Sequence, residues 1–381
     1  MVLGIQKLAE FRNNFFDEAV SFMALASYAS SGDYGTKGLM PNLGRAGLMP
    51  SLSGRELETK RKSIFDISPL SEGQVGDAGF DFRLGECVVR TDYVDEHLRV
   101  RDLEKMEHVS LNDGESFVFE ADKNGRNVYY VPSFEDILLS HDLEIEVHAK
   151  STSGRVGCHV GGYFDRDSKK LIMVLQPVAF DLIGKCGKTQ FGQGVIRYLG
   201  SGLPSREEIL KRDLVRVSGR GDIEKRLTHK GLEMQFNTSY AYRAKRTRKP
   251  IDMEAKNLDW TKWWDFIEGN SDILLEARTL YLLGSLGGIQ MRNACGVLSK
   301  EQRTFNGFGG FGCLAGIIQP GFSGQITMEP FFPTKTRIHR GDAAGVVMID
   351  DVEGLIQGDY EGDYQGQKAP RLPKMFKEHK F

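Results

Sequence analysis

Along most of the chain, apolar residues come in short β-branched or aromatic runs, as at 117–119, 128–131 and 172–178, set between glycine-bearing turns. Runs of this length and composition predict strands joined by tight turns. Three segments read as helix instead, at 15–26, at roughly 53–62 and at roughly 205–217. The third opens on Pro204, Ser205 and Glu208, the Ser-x-x-Glu spacing in which each side chain satisfies a backbone N–H of the other. The first is interrupted by Asp17 and Glu18 and lacks both a basic leader and the ~18 apolar residues of a membrane span. It reads as a packed or partner-seeking helix, and no membrane association is expected. The fold class expected is mainly β with a few short helices.

A chain of 381 residues exceeds the ~250–300 at which single cores stop growing, so two units are expected. Gly79-Phe-Asp-Phe-Arg-Leu84 and Gly231-Leu-Glu-Met-Gln-Phe236 open two β-rich stretches, each with one acid amid apolar positions. Later in each stretch a strand ends in a Gln-Pro or Glu-Pro step, at Gln176-Pro177 and Glu329-Pro330. The capped helix and the Gly-rich break at 218–222 divide the stretches. The layout is an N-terminal extension (1–46), a first unit (47–202), a helical linker (203–230) and a second unit (231–381).

Charge narrows the partners. With 50 basic and 52 acidic side chains, the whole chain has no drive toward nucleic acid or an anionic surface, so an anionic ligand must be held by local features. The basic run at 243–249 lacks interleaved aromatics and reads as a solvated face, so no nucleic acid is expected. Five scattered cysteines suit a reducing compartment, the cytoplasm, better than a disulfide framework. No Cys-x-x-Cys exists, so no zinc is expected. Gly307-Phe-Gly-Gly-Phe-Gly312 has dinucleotide-fingerprint spacing but no βαβ unit around it. Trp260, Trp263, Trp264 and Phe266 fall at helix-like spacing and read as core or inter-unit packing.

Two segments carry chemistry. His148-Ala-Lys-Ser-Thr-Ser-Gly-Arg-Val-Gly157 gathers cations and hydroxyls around glycines, the donors that phosphate oxygens require. Ala315-Gly-Ile-Ile-Gln-Pro-Gly-Phe-Ser-Gly-Gln-Ile-Thr-Met-Glu329 reads as a turn at Pro320-Gly321 followed by a strand ending in an acid. A carboxyl group buried there is suited to relaying protons.

Together these segments resemble the dCTP deaminase and dUTPase superfamily. Lys150 to Gly157 is similar to its phosphate motif, and Ala315 to Glu329 to its later motif without a gap. Tyr364-Gln-Gly-Gln367 looks like the nucleotide-covering tail, and Asp77 to Gly85 like the opening strand. Length and order match the bimodular dCTP deaminase branch. The resemblance implies two tandem dUTPase-like distorted β-barrel units of the β-clip type. It implies zinc-independent deamination of dCTP to dUTP, in which Glu329 relays protons. Ser151 and the Ala315 backbone would position water and amine, and Arg155 would orient Glu329. Lys150 and Thr152 would bind phosphate, Gln319 would face the sugar, and Tyr364 and Gln367 would close over the triphosphate. Mg2+ would enter with the nucleotide. A homo-oligomer, simplest as a trimer, is also implied.

Departures from the pattern leave alternatives open. Gln319 stands where dUTPases use a water-activating aspartate, whereas Asp165 occupies a comparable turn in the first unit. A dUTPase-like or bifunctional enzyme, or a non-catalytic nucleotide-binding regulator, are the other readings. The first unit has no acid at Gln176, and the second has only the off-register Ser299 and Arg303 for a phosphate motif. These complementary losses predict one composite site, with Lys150–Arg155 from one unit and Ala315–Glu329 from the other, within one chain or between chains.

Overall fold

The computed structural model describes residues 51–52, 65–71, 74, 79–92, 107–122, 127–140, 143–198, 203–218, 223–229, 231–247, 249–298, 314–353 and 360–379. The expected helices at 15–26 and 53–62, the glycines of 307–312, and Ser299 and Arg303 lie outside the described residues. Strand dominates, and the α-helices described are short: Ser151–Arg155, Arg206–Lys211 and Ile223–Arg226. No helix among the described residues is long and apolar enough to cross a membrane.

The linker helix starts where the sequence places it but ends six residues early. Ser205 Oγ accepts from the Glu208 N–H, and the Glu208 carboxylate accepts from the Ser205 N–H at 2.7 Å. Only Ile209 of this helix is buried, and the chain reverses at Asp213 with φ 52°. The β-branched alternation of Val215 and Val217 then makes the strand Val215–Ser218, which pairs with Gly288–Met291. The tryptophans also depart from helix. Trp260–Lys262 is a single 3-10 turn, and Trp264 opens the strand Trp264–Glu268. Trp264 meets Phe180 edge to face at 5.2 Å, and Trp263 meets Phe376 at 5.5 Å. The aromatic cluster therefore joins the first unit, the second unit and the chain end.

Strand pairing repeats between the units. Strand Gln190–Tyr198 lies between Phe80–Arg83 and Leu143–Ala149, with Gly194 opposite both Phe80 and Val147. Strand Ala343–Glu353 lies between the start of Gly231–Ala244 and Ala294–Leu298, with Val347 opposite both Leu232 and Leu298. This register aligns Gly79 with Gly231, as the sequence repeat does. A Cβ at Gly79 would stand 2.0 Å from Gly194 O, and one at Gly231 would stand 2.4 Å from Val347 O. Both copies need a bare backbone at the same close approach.

The two central strands are joined through the short strand Ser51–Leu52, antiparallel to one and parallel to the other. Counting three residues from Gly194 and from Val347 makes Arg197 and Asp350 equivalent. These two meet across the seam at 3.1 Å, both fully buried. A position that meets its own counterpart would oppose like charges in identical halves. Here it has diverged into a complementary pair. Glu146 holds the other side of Arg197 at 2.6 Å. Burial pushes the Asp350 carboxyl up to about 7, against the pull of Arg197.

One hydrophobic cluster fills the first unit and takes in Tyr242, Trp264, Leu282, Leu314 and Met375 from beyond it. A second, around Leu232, Phe236, Leu283 and Phe332, also buries Ile209 and Leu214 of the linker. Within the basic run, Arg243 and Lys245 both pair with Asp265, and Lys249 lies 5.5 Å from the Trp263 ring.

Candidate active site

The site lies where the first unit's Leu143–Ala149 strand meets the second unit. Ala149 forms a parallel bridge with Ala315, and the chain then turns into the helix Ser151–Arg155. Gly154 makes this approach feasible, since a Cβ there would lie 2.6 Å from Ala315 N and 3.1 Å from its Cα. Neither backbone atom has room to yield. Gly154→Ala should therefore cost about 1–3 kcal/mol by overpacking. Thermal unfolding of the full chain measures this, and an unchanged midpoint would mean the seam is looser than described.

Glu329 follows the strand Thr327–Met328 and is fully buried. Its Oε2 accepts from Leu314 N at 3.0 Å and from Ala315 N at 3.3 Å. Its Oε1 faces Arg155 Nε at 4.0 Å, an ion contact rather than a hydrogen bond. Two backbone donors and a guanidinium thus fix a carboxylate away from bulk water. Ser151, half-buried, opens the short helix beside it, and Ser153 Oγ is buried with no hydrogen-bond partner among the described residues.

Arg155 is held from the tail. Its Nη1 donates to Arg371 O at 2.8 Å, its Nη2 lies 3.5 Å from Gln367 Oε1, and its guanidinium sits 3.6 Å from the Tyr364 ring centre. Thr152 Oγ1 is 3.4 Å from the Tyr364 hydroxyl. Gln367 is anchored in turn by Gln325 and Thr327. The tail therefore packs over both motifs. Lys150 Nζ donates to Asp81 Oδ2 at 2.5 Å and to Gln190 Oε1 at 2.7 Å. That leaves one of its three N–H groups uncommitted by these bonds. Burial raises the Asp81 pKa, and Lys150 opposes the rise. Gln319 Nε2 donates to Gln193 Oε1 at 3.3 Å.

All nine residues singled out in the sequence fall in this one region of a single chain, in two patches. Glu329, Ala315, Arg155, Thr152, Tyr364 and Gln367 are linked by direct contacts, with Ser151 adjoining them. Lys150 and Gln319 are tied instead to Asp81, Gln190 and Gln193 on the neighbouring strands. Sequence reasoning missed Asp81, Gln190, Gln193 and Arg371. Asp81 had a signal as the lone acid of its repeat, whereas the others had none. Asp165 is not among these residues. It closes the hairpin from Cys158–Asp165 to Lys170–Pro177, accepting from Asp167 N and from Ser168 Oγ at 2.6 Å. His148 is buried, with Nε2 3.1 Å from Glu146. Among the described residues no three His, Cys, Asp or Glu side chains cluster as a metal site.

A family model described as dCTP deaminase-like matches residues 51–178. Comparison with curated protein sequences gives no significant match. Among solved structures, the 2'-deoxycytidine 5'-triphosphate deaminase from Agrobacterium tumefaciens is similar with a TM-score of 0.65 and 18% identity. That likeness covers 82% of this chain and 100% of the other. Residues 51–178 are therefore similar to a dCTP deaminase-like domain, and the mainly β fold of the chain is like that of the Agrobacterium deaminase.

Proposed function

We propose that this protein hydrolyses dCTP to dUTP and ammonia at the site shared by its two units. The observation that carries this reading is the fully buried Glu329, held by the Leu314 and Ala315 N–H groups and facing Arg155 from the other unit. In the proposed reaction Glu329 takes a proton from water as its oxygen attacks C4 of cytosine. It delivers that proton to N3, then moves the proton left on the attacking oxygen to the exocyclic amine, so that the C4–N bond breaks, C4=O forms and ammonia leaves. Ser151 and the Ala315 backbone position the water and the amine, and Arg155 fixes Glu329 and counters developing charge. Positioned proton transfer of this kind contributes ~10²–10⁴-fold in rate. Lys150 offers its remaining donor to phosphate, with Thr152 beside it, while Tyr364 and Gln367 cover the nucleotide.

Mg2+ fits this reading as a companion of the triphosphate. The acid nearest the phosphate motif, Asp81, is already engaged by Lys150, so the phosphates themselves would supply the ion's ligands. No zinc is required in the proposed proton relay. The candidate residues come together within one chain, which supports a reading that does not depend on the trimer we propose as the simplest assembly.

Incubating the protein with dCTP and with dUTP separately, with and without chelator, tests the proposal. Ammonia from dCTP without pyrophosphate is the expected result. Pyrophosphate from dUTP would favour the dUTPase-like reading, and neither product would leave a nucleotide-binding regulator. Asp165 is committed to its turn, so Asp165→Asn should leave ammonia release unchanged.

A further inference from the structure

We infer that His148 is a positioning residue: its imidazole holds the Ala315–Gly316 backbone so that the Ala315 N–H stays on Glu329, and the charged groups of the seam hold the imidazole. The reaction concerned is the proposed deamination, on whose assignment this role rests; the contacts stand without it.

Gly316 is where the contact shows. Its φ lies outside the left-handed region that calls for glycine. What excludes a side chain is His148, because a Cβ on Gly316 would stand 2.9 Å from the His148 Cβ, 2.8 Å from its Cγ and closer still to Nδ1. The residue before, Ala315, meets Gly154 at similarly close range and forms its bridge with Ala149. Positions 148, 149 and 154 of the first unit therefore grip two consecutive residues of the second. Ala315 donates to Glu329 at 3.3 Å, the longer of that carboxylate's two backbone bonds and the one with less length to spare.

A leucine or a phenylalanine could supply bulk against Gly316. A buried imidazole must in addition have its polar atoms met. His148 is fully buried, and its Nε2 lies 3.1 Å from Glu146 Oε1. A carboxylate on that side keeps a proton on Nε2 and leaves the Nδ1 edge toward Gly316. Glu146 is fixed in its turn, since its Oε2 takes Arg197 at 2.6 Å and Arg197 takes Asp350 at 3.1 Å. The ring behind the Ala315–Gly316 backbone is thus oriented by ion pairs that span both units.

The test reads the rate constant of ammonia release in a single turnover, with the full chain in saturating excess over dCTP, and dCTP affinity by calorimetry. Under saturation that rate constant is blind to a partly unfolded preparation, which is all that a purely structural role would produce. His148→Leu keeps much of the volume but loses the tie to Glu146. The rate constant should fall about ten- to a hundred-fold, the scale for a reacting group displaced by an ångström or less. Affinity should stay within about threefold, because Lys150, Thr152 and the tail are untouched. His148→Gln, whose amide can place an N–H where Nε2 stood, should keep the rate constant within about threefold of native. Gly316→Ala should slow the native protein by the same ten- to hundred-fold or so. In His148→Gly, where the ring and its Cβ are gone, adding Gly316→Ala should change the rate constant by less than about threefold.

A His148→Leu protein with the native rate constant would overturn the inference, and so would equal losses from the Leu and Gln variants. Parallel losses of rate and affinity would place His148 in nucleotide binding instead. A Gly316→Ala loss that is the same with and without the ring would show that the imidazole does not hold that backbone. If the native protein releases no ammonia, the proposed function fails and takes the role of His148 with it. Ammonia from the native protein beside any of the other adverse results sinks this inference alone.

Discussion

Glu329→Gln should abolish deamination while nucleotide binding persists. The substitution keeps the side chain's size, and one oxygen remains to accept from Leu314 N and Ala315 N, so the loop that forms the seam stays in place. What disappears is the capacity to take and return a proton. An amide NH2 also takes the place of the oxygen facing Arg155, setting donor against donor where a carboxylate stood. The expected loss is at least the ~10²–10⁴-fold attributed to positioned acid–base catalysis. Ammonia release under single-turnover conditions reads the loss, and calorimetry with dCTP reads the binding. Turnover near the native rate would remove Glu329 from the mechanism.

The second large effect is on stability, and it lies at the seam. Arg197 is fully buried between Glu146 and Asp350. Burial works against its charge, and the two acids more than offset this, holding its pKa above the ordinary arginine value. Arg197→Met removes the cation and leaves both acids facing one another. Breaking a buried pair from one side costs about 3–5 kcal/mol. The loss should also depend on pH. Asp350 has its folded pKa raised from 3.8 to about 7, so its stabilisation is present below the lower value and fades as pH rises through the upper one. Without Arg197 the folded value rises further, and ionising Asp350 costs more. The deficit of the variant should therefore be small near pH 4 and grow toward pH 8. Urea unfolding of the full chain across this range measures it. A deficit under about 1 kcal/mol at pH 8 would mean that the network contributes little to holding the units together.

Much of the candidate site was legible because its residues sit in dense local strings. Lys150 to Gly157 and Ala315 to Glu329 each crowd unusual residue types into a few positions, and the loss of the acid at Gln176 directed attention to Glu329. Element boundaries without a local signal were less legible. The capping box at Ser205 marks the start of the linker helix because both partners lie within four residues. Its end depends on Val215 and Val217 finding the strand Gly288–Met291, far along the chain. The packing role of the tryptophans was legible, but the element that carries them was not. Spacings of three and four residues suggest a helix face, but Trp264 is committed by pairing with Ala244 and packing on Phe180.

Residue order alone pointed to a β-rich chain in two halves, with the segment rich in cations and hydroxyls in the first and the strand-ending acid in the second. Those properties depend on residue type and short-range order, which a chain carries whether or not it is folded. The tertiary structure alone decided that the two surviving parts meet within one chain. It decided too that Tyr364 lies on Arg155, that Gln319 contacts Gln193, and that Arg197 meets its own counterpart, Asp350, across the seam. Each of these depends on which residue stands opposite which in a ladder between distant strands. A shift of one position in that register would turn every such side chain to the other face.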